Sequence, residues 1–411
     1  MRAPHLHSAL RGFCLGAFAL FTRDVDEGAE IPFAFEEHDA RDRPTLYEYR
    51  PLVRNFVEAR GGRLLARGDT AIALEALGRE PAAAIFARAH AAAHADHALF
   101  RTVLLPLVSD VAEACGGFDW DDDAFDRAYA LLEHSLYGEK RAYAAIAPLV
   151  GVEAGGTVPL GEGLRVRHAA DGELAAHWPD AAKLVPESFG REMDRMCVLE
   201  LERTMPTEGA DPPDAPGEIA DAVTAMRLAT SGPIAAGPVL FERLDWRPFG
   251  VRPALPIAAT QPPGQPTRLD VFRGETARVL ITKLGASDVD RELGDALDRW
   301  ELALFQDGPF RSEQLGASLE ALLGLGDGMW AASLRAAVLL GETGRERREA
   351  LEVLRRLRDG APGPESVDIV RRALVETLMR GNRRALVAEL DESLLGVRPT
   401  PSSRVAQALA S

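Results

Sequence analysis

Three histidines, His90, His94 and His97, follow one another at intervals of four and three residues in an alanine-rich stretch. On one helix those intervals put all three imidazoles on a single face, and an interval of four is what two ligands on one helix need to share a zinc ion. Asp119, Asp121, Asp122 and Asp123, or Glu133 with His134, would complete the site if a neighbouring helix brought them close. The chemistry would be metal-dependent hydrolysis. Against it, His90-Ala91-Ala92-Ala93-His94 lacks the glutamate beside the first histidine that marks a zinc hydrolase. The aspartate run has the make-up of an acidic first helical turn. The residues therefore read as surface histidines, with no metal and no cofactor expected.

The second set of chemically able residues is cationic. Arg345, Arg347, Arg348, Arg355, Arg356, Arg358, Arg371, Arg372, Arg380, Arg383 and Arg384 crowd two predicted helices and the turn after them. A guanidinium holds a phosphate through two parallel hydrogen bonds, so Arg358, Arg355 and Arg371 are the candidate RNA- or phosphate-binding residues. Interleaved Glu346, Glu349, Glu352 and Glu376 stand three or four residues from several of these arginines. Ion pairing along a solvated helix face is thus the simpler use of the charge. Aromatic residues that would stack bases are absent from the stretch. Arg358 lies seven residues after Leu351, near the apolar stripe, where its stem can cover the core while its head stays wet or pairs with an acid.

These side chains need elements to hold them, and composition bounds those elements. A chain of 411 residues exceeds one typical core, and three units are expected. Apolar residues at 46% and charged residues at 27% fit a folded chain. A net charge of −16 excludes a surface that grips nucleic acid all round, leaving only a local basic face. Cys14, Cys115 and Cys197 are too far apart for a zinc knuckle or a disulfide framework, which points to a reducing cytoplasm. The apolar run from Gly12 to Phe21 is too short to span a bilayer and has no cleavage signal after it, so a buried helix is expected.

The expected fold class is mostly α with a central α+β segment: an N-terminal helical bundle over residues 1–147, a small mixed sheet over 148–261 and a C-terminal helical bundle over 268–398. In the first unit Tyr49, Leu52, Val53 and Phe56 form one helical stripe and Phe125, Tyr129, Leu132 and Leu136 another, with Pro106 kinking or ending an alanine-rich helix begun near Pro81. In the second, Cys197, Leu199 and Leu201 alternate with Val198, Glu200 and Glu202, a strand with one buried and one mostly wet face. Residues 164–166 and 239–244 are further strands, and Ile219, Val223 and Met226 mark a helix. The prolines between Gln261 and Thr267 read as a linker. Beyond it, stripes run through Leu293, Leu297, Trp300 and Leu304, then Leu315, Leu319 and Leu322, then Trp330, Leu334 and Val338. Three more helices follow, one of them N-capped by Ser366.

The order of Leu297-Asp298-Arg299-Trp300, Leu319-Glu320-Ala321-Leu322, Leu334-Arg335-Ala336-Ala337 and the arginine-bearing helix ending at Arg358-Asp359 resembles a HEPN-type helical domain of the bacterial kind, over roughly residues 270–398. The resemblance implies two protomers pairing so that arginine and histidine meet across a cleft and cut RNA without a metal. In this chain Gly363, Pro364 and Glu365 occupy the positions where that spacing allows the histidine, and no histidine follows His177. Loss of such an acid–base group removes on the order of a hundredfold to ten-thousandfold in rate. The expectation is a catalytically degenerate HEPN-like protein that binds a protein partner or RNA, as a homodimer through the helices flanking Arg358, with no membrane association. The alternatives are a metal-dependent hydrolase using His90, His94 and His97, or an unconventional ribonuclease.

Overall fold

The computed structural model describes residues 2–38, 46–90, 97–169, 173–174, 196–206, 213–245, 247–253 and 265–401. The protein is mostly helical, with a central α+β region between helical ends. Helix α1 (Pro4–Asp26) contains the apolar run and buries Leu6, Leu10, Phe13, Cys14, Ala17 and Phe21 at helical spacing. The run is a core helix. No helix among the described residues is long and apolar enough to cross a membrane.

A hairpin of β1 (Phe33–His38) and β2 (Leu46–Pro51) precedes α2 (Val53–Glu58), α3 (Gly61–Leu65), α4 (Gly68–Gly78) and α5 (Pro81–His90). A π turn at Phe100–Leu104, α6 (Leu105–Ala114) and α7 (Asp122–Tyr137) complete the N-terminal unit. Tyr49, expected on a helical stripe, belongs to β2, because Leu46-Tyr47-Glu48-Tyr49 alternates strand-forming residues with period two. Val53 and Phe56 do pack inward from a helix. Pro106 does not end a helix: helical backbone runs unbroken from residue 98 to 114, and the π turn at Phe100–Leu104 directly before Pro106 is where the i→i−4 ladder is interrupted. The α7 stripe of Phe125, Tyr129, Leu132 and Leu136 is buried as read from the sequence.

The central region comprises β3 (Lys140–Val150), β4 (Val152–Ala154), β5 (Val158–Gly161), β6 (Leu164–His168), β7 (Cys197–Pro206), α8 (Ala215–Thr230), β8 (Ala235–Ala236), β9 (Val239–Leu244), β10 (Arg247–Pro253) and β11 (Thr267–Leu269). Seven strands form an antiparallel sheet in the order β10-β9-β3-β7-β6-β5, with β8 against β3. Residues 140–147 were expected to close the helical unit. They are strand, because β7 on one side and β9 on the other pair with β3, and that pairing overrides the helix preference of its alanines. The expected boundary after residue 147 therefore falls inside β3.

The last unit consists of α9 (Val271–Val289), α10 (Arg291–Leu304), α11 (Gly308–Leu323), α12 (Gly328–Leu340), α13 (Gly344–Arg358), α14 (Pro364–Arg380) and α15 (Arg383–Leu394). One hydrophobic core runs from Tyr143 of the sheet to Leu390 of α15, while the N-terminal helices bury a separate one. Continuity across the expected linker has visible causes. β11 pairs in parallel with β4, and the Thr267 N–H donates to the Gly151 carbonyl at 2.9 Å. Helix α9 then lies so close on β5 that a Cβ at Gly274 would sit 2.3 Å from Val158 Cγ1. Buried Arg227 of α8 pairs with Glu301 of α10 at 3.0 Å and donates to the Ile234 carbonyl at 2.6 Å. The linker residues 261–264 themselves lie outside the described residues.

Two helix readings need correction. Trp330, expected inward, is 46% exposed, and α12 instead buries Arg335, which caps the end of α11 through the Leu323 and Gly324 carbonyls at 2.8 and 2.9 Å. Ser366 is not an N-cap. It is buried inside α14, whose cap is Gly363, because Pro364 takes the first-turn position that suits proline.

Candidate functional site

Helix α13 starts at a capping box: the Thr343 hydroxyl accepts from the Glu346 N–H, and the Glu346 carboxylate accepts from the Thr343 and Glu342 N–H groups at 3.2 and 2.8 Å. Those backbone donors hold the Glu346 carboxyl below its ordinary range. Leu354 and Leu357 turn inward from α13, and Ile369, Val370, Ala373 and Leu374 turn inward from α14. A groove of about 750 Å3 opens between the two helices. Leu340, Ala350, Val353 and Ile369 line its apolar part, and Glu342, Glu346, Glu349, Glu365 and Asp368 surround them, with Arg372 as the cation.

The three arginines singled out in the sequence do not line this groove. Arg358 is half exposed and turned to its neighbour Asp359 at 3.1 Å. Arg355 extends its guanidinium over the Trp330 ring, 5.7 Å from the centroid. Arg371 is committed to structure, bonding Asp368 at 2.6 Å and donating to the Leu228 carbonyl of α8 at 2.7 Å. Its neighbours are similarly engaged: Arg345 pairs with Glu349 at 2.8 Å, Arg347 reaches the Gly341 carbonyl at 2.9 Å, and Arg372 reaches the Leu340 carbonyl at 3.4 Å. Arg383 is sealed in the core against Asp290 and Glu292, and it caps α11 through the Ala321 carbonyl at 3.1 Å. The arginine density is thus spent largely on ion pairs and helix ends.

The histidine cluster gives no comparable geometry. His94 and the side chain of His90 lie outside the described residues, and His97 has a left-handed backbone with φ 58°. Asp121 caps α7 by accepting from the Asp123 N–H, Asp122 bonds Arg11 and Trp120, and Glu133 accepts the Arg2 N–H. The aspartate run is an acidic helix start. Among the described residues no group of three or more His, Cys, Asp or Glu is arranged to hold a metal ion.

Sequence reasoning missed a dense polar cluster among the described residues, which lies on the sheet. Register places Arg165 and Arg167 of β6, Glu200 and Glu202 of β7 and Arg243 of β9 on the face opposite α8. Glu200 is 1% exposed and meets Arg165 at 2.6 Å, Arg167 at 2.7 Å and Arg243 at 3.2 Å. Arg167 also makes a two-pronged pair with Glu173 at 2.7 and 2.8 Å, and Arg165 reaches Glu202 at 2.8 Å. Burial pushes the Glu200 carboxyl up, but the hydrogen bonds and charges of Arg167 and Arg165 outweigh it and hold the group below its ordinary range. The one signal in the sequence was arginine alternating with apolar residues in Leu164-Arg165-Val166-Arg167, opposite glutamate alternating in β7. Both faces of β7 are covered at its start, contrary to the wet face expected for Val198 and Glu200.

No protein-family model, no curated protein and no solved structure matches this chain.

Proposed function

We propose that the protein works by binding and not by catalysis, and that its HEPN-like C-terminal unit, without the catalytic histidine, takes a protein partner in preference to RNA. The observation that carries this reading is the sign of the charge around the groove between α13 and α14. Five carboxylates and one guanidinium line it, and with Asp368 paired to Arg371 and Glu349 to Arg345, the carboxylates of Glu342, Glu346 and Glu365 still outnumber Arg372. A phosphodiester chain entering there would meet like charge, and counterion release, the main source of affinity for nucleic acid, needs clustered cations. Glu365 stands at one of the positions the family spacing gives to histidine, and it lines this acidic groove. A carboxylate is no replacement for an imidazole, whose ordinary pKa lets it take and return a proton near neutral pH. Arg358, the counterpart of the family's phosphate-holding arginine, faces Asp359.

Anisotropy with a labelled single-stranded RNA oligomer, at low and high salt, tests the reading. Weak binding that is unchanged by Arg355→Ala and Arg358→Ala, with no cleavage by metal-free protein, is the expected result. Metal-independent turnover abolished by Arg358→Ala would overturn it. So would tight, salt-sensitive RNA binding that those two substitutions remove.

A further inference from the structure

Resting on that reading, we infer that the groove between α13 and α14 is the docking site for a basic amphipathic helix of a protein partner. Its apolar part is an extension of the core: Leu340, Ala350 and Val353 are partly buried and packed against the hydrophobic cluster that includes Ile369. Apolar surface left open in a concavity binds apolar side chains by removing them from water. Ala350 and Val353 stand one turn apart on α13, the spacing at which a helix laid in a groove presents its own anchors. The charge around them decides which helix fits. Glu342 and Glu365 are exposed, and Glu349 is exposed with its one ion-pair partner, Arg345, 83% exposed to solvent. An entering helix with Lys or Arg flanking its apolar anchors meets these carboxylates, whereas an acidic or neutral helix leaves them opposed or unmatched.

The test uses the full chain and three labelled synthetic helices: one with leucines at i, i+3, i+4 and i+7 and lysines elsewhere, its lysine-to-glutamate counterpart, and a scrambled lysine peptide. The amphipathic lysine peptide should bind about tenfold tighter than the scrambled one, and the glutamate peptide should not bind, each difference following from anchors and charge acting together. Glu342→Gln, Glu349→Gln and Glu365→Gln combined should weaken it by about tenfold, since each exposed pair is worth a severalfold change. Asp26→Asn, Glu27→Gln and Glu139→Gln, on the N-terminal unit, remove the same charge from a chain of net −16 and should leave binding unchanged. Ala350→Trp, checked for an unaltered circular dichroism spectrum, should fill the floor and abolish binding. Equal binding of the scrambled peptide overturns the proposal, as does equal loss in the two triple variants. Self-association of the chain that disappears in the groove variant also overturns it, by assigning the groove to a second copy. Failure here while RNA remains unbound removes the groove alone; RNA capture through Arg355 and Arg358 removes the underlying reading.

Discussion

The sheet face around Glu200 and the groove beside α13 are both rich in charge, yet they differ in how that charge is matched. On the sheet, three arginines meet Glu200, Glu202 and Glu173 at hydrogen-bond distances, and Glu200 is withdrawn from water. Such a network is closed: every ion has its partner within the chain, so it fixes strand positions and leaves little for a ligand. In the groove, Asp368 pairs with Arg371, Glu349 with exposed Arg345 and Glu346 with the capping-box N–H groups, while exposed Glu342 and Glu365 lie beside open apolar surface with no ion pair among the described residues. Unmatched charge at an exposed site does little for folding, but it selects what approaches. A dense cluster is therefore a poor guide to function until its internal pairing has been counted.

The largest expected effect comes from opening the closed network. Glu200→Ala leaves Arg165, Arg167 and Arg243 around an empty position and should cost about 3–5 kcal/mol in denaturant unfolding; a loss under about 1 kcal/mol would put the network in the class of surface pairs and erase the contrast. Acid reaches the same group more gently. Because its folded pKa lies below the unfolded one, the stabilisation by Glu200 is complete above the ordinary carboxylate range and is lost as pH falls through the lower folded value. Asp24, held down by hydrogen bonds from Arg63 and Arg60, adds to the loss in the same direction. Thermal unfolding followed from neutral pH downward should show Tm falling over that interval, with the Glu200-dependent part missing in Glu200→Ala. Thr343→Ala, which removes half of the capping box at the mouth of the groove, should cost about 1 kcal/mol by the same unfolding measurement. The smallest effects belong to the open site. Glu342→Gln with Glu365→Gln, or Arg358→Ala alone, should change stability by no more than about 0.5 kcal/mol, and a larger loss would mean that these groups hold the fold.

Much of the architecture was legible because it follows from periodicity. The stripes through Leu293, Leu297, Trp300 and Leu304 and through Phe125, Tyr129, Leu132 and Leu136 bury as their spacing requires. The strands at 239–244 and from Cys197 onward were equally readable as strands, although the wet face expected for Val198 and Glu200 is covered. Failures came where long-range partners override local preference. The alanines of β3 favour helix by themselves and became a central strand only because β7 and β9 stand on either side. Trp330 carries a core residue's chemistry, but Arg335 took the inward face to cap α11. At the candidate groove, the charge readable in the sequence points to α13 and α14, but Arg355, Arg358 and Arg371 do not line it, since ion pairs along one helix can be anticipated while an arginine reaching Leu228 across 143 residues cannot.

By itself the sequence determined the helical ends, the mixed centre and the absence of a histidine after His177, since these depend on residue type and on periods of two and 3.6. Only the tertiary structure decided which charges cancel and which remain: Glu200 is silenced by arginines from two other strands, and Glu342 from the turn before α13 and Glu365 from α14 come to share one groove. Electrostatic interaction depends on separation in space and on exposure to water, and neither is written in the order of residues along the chain.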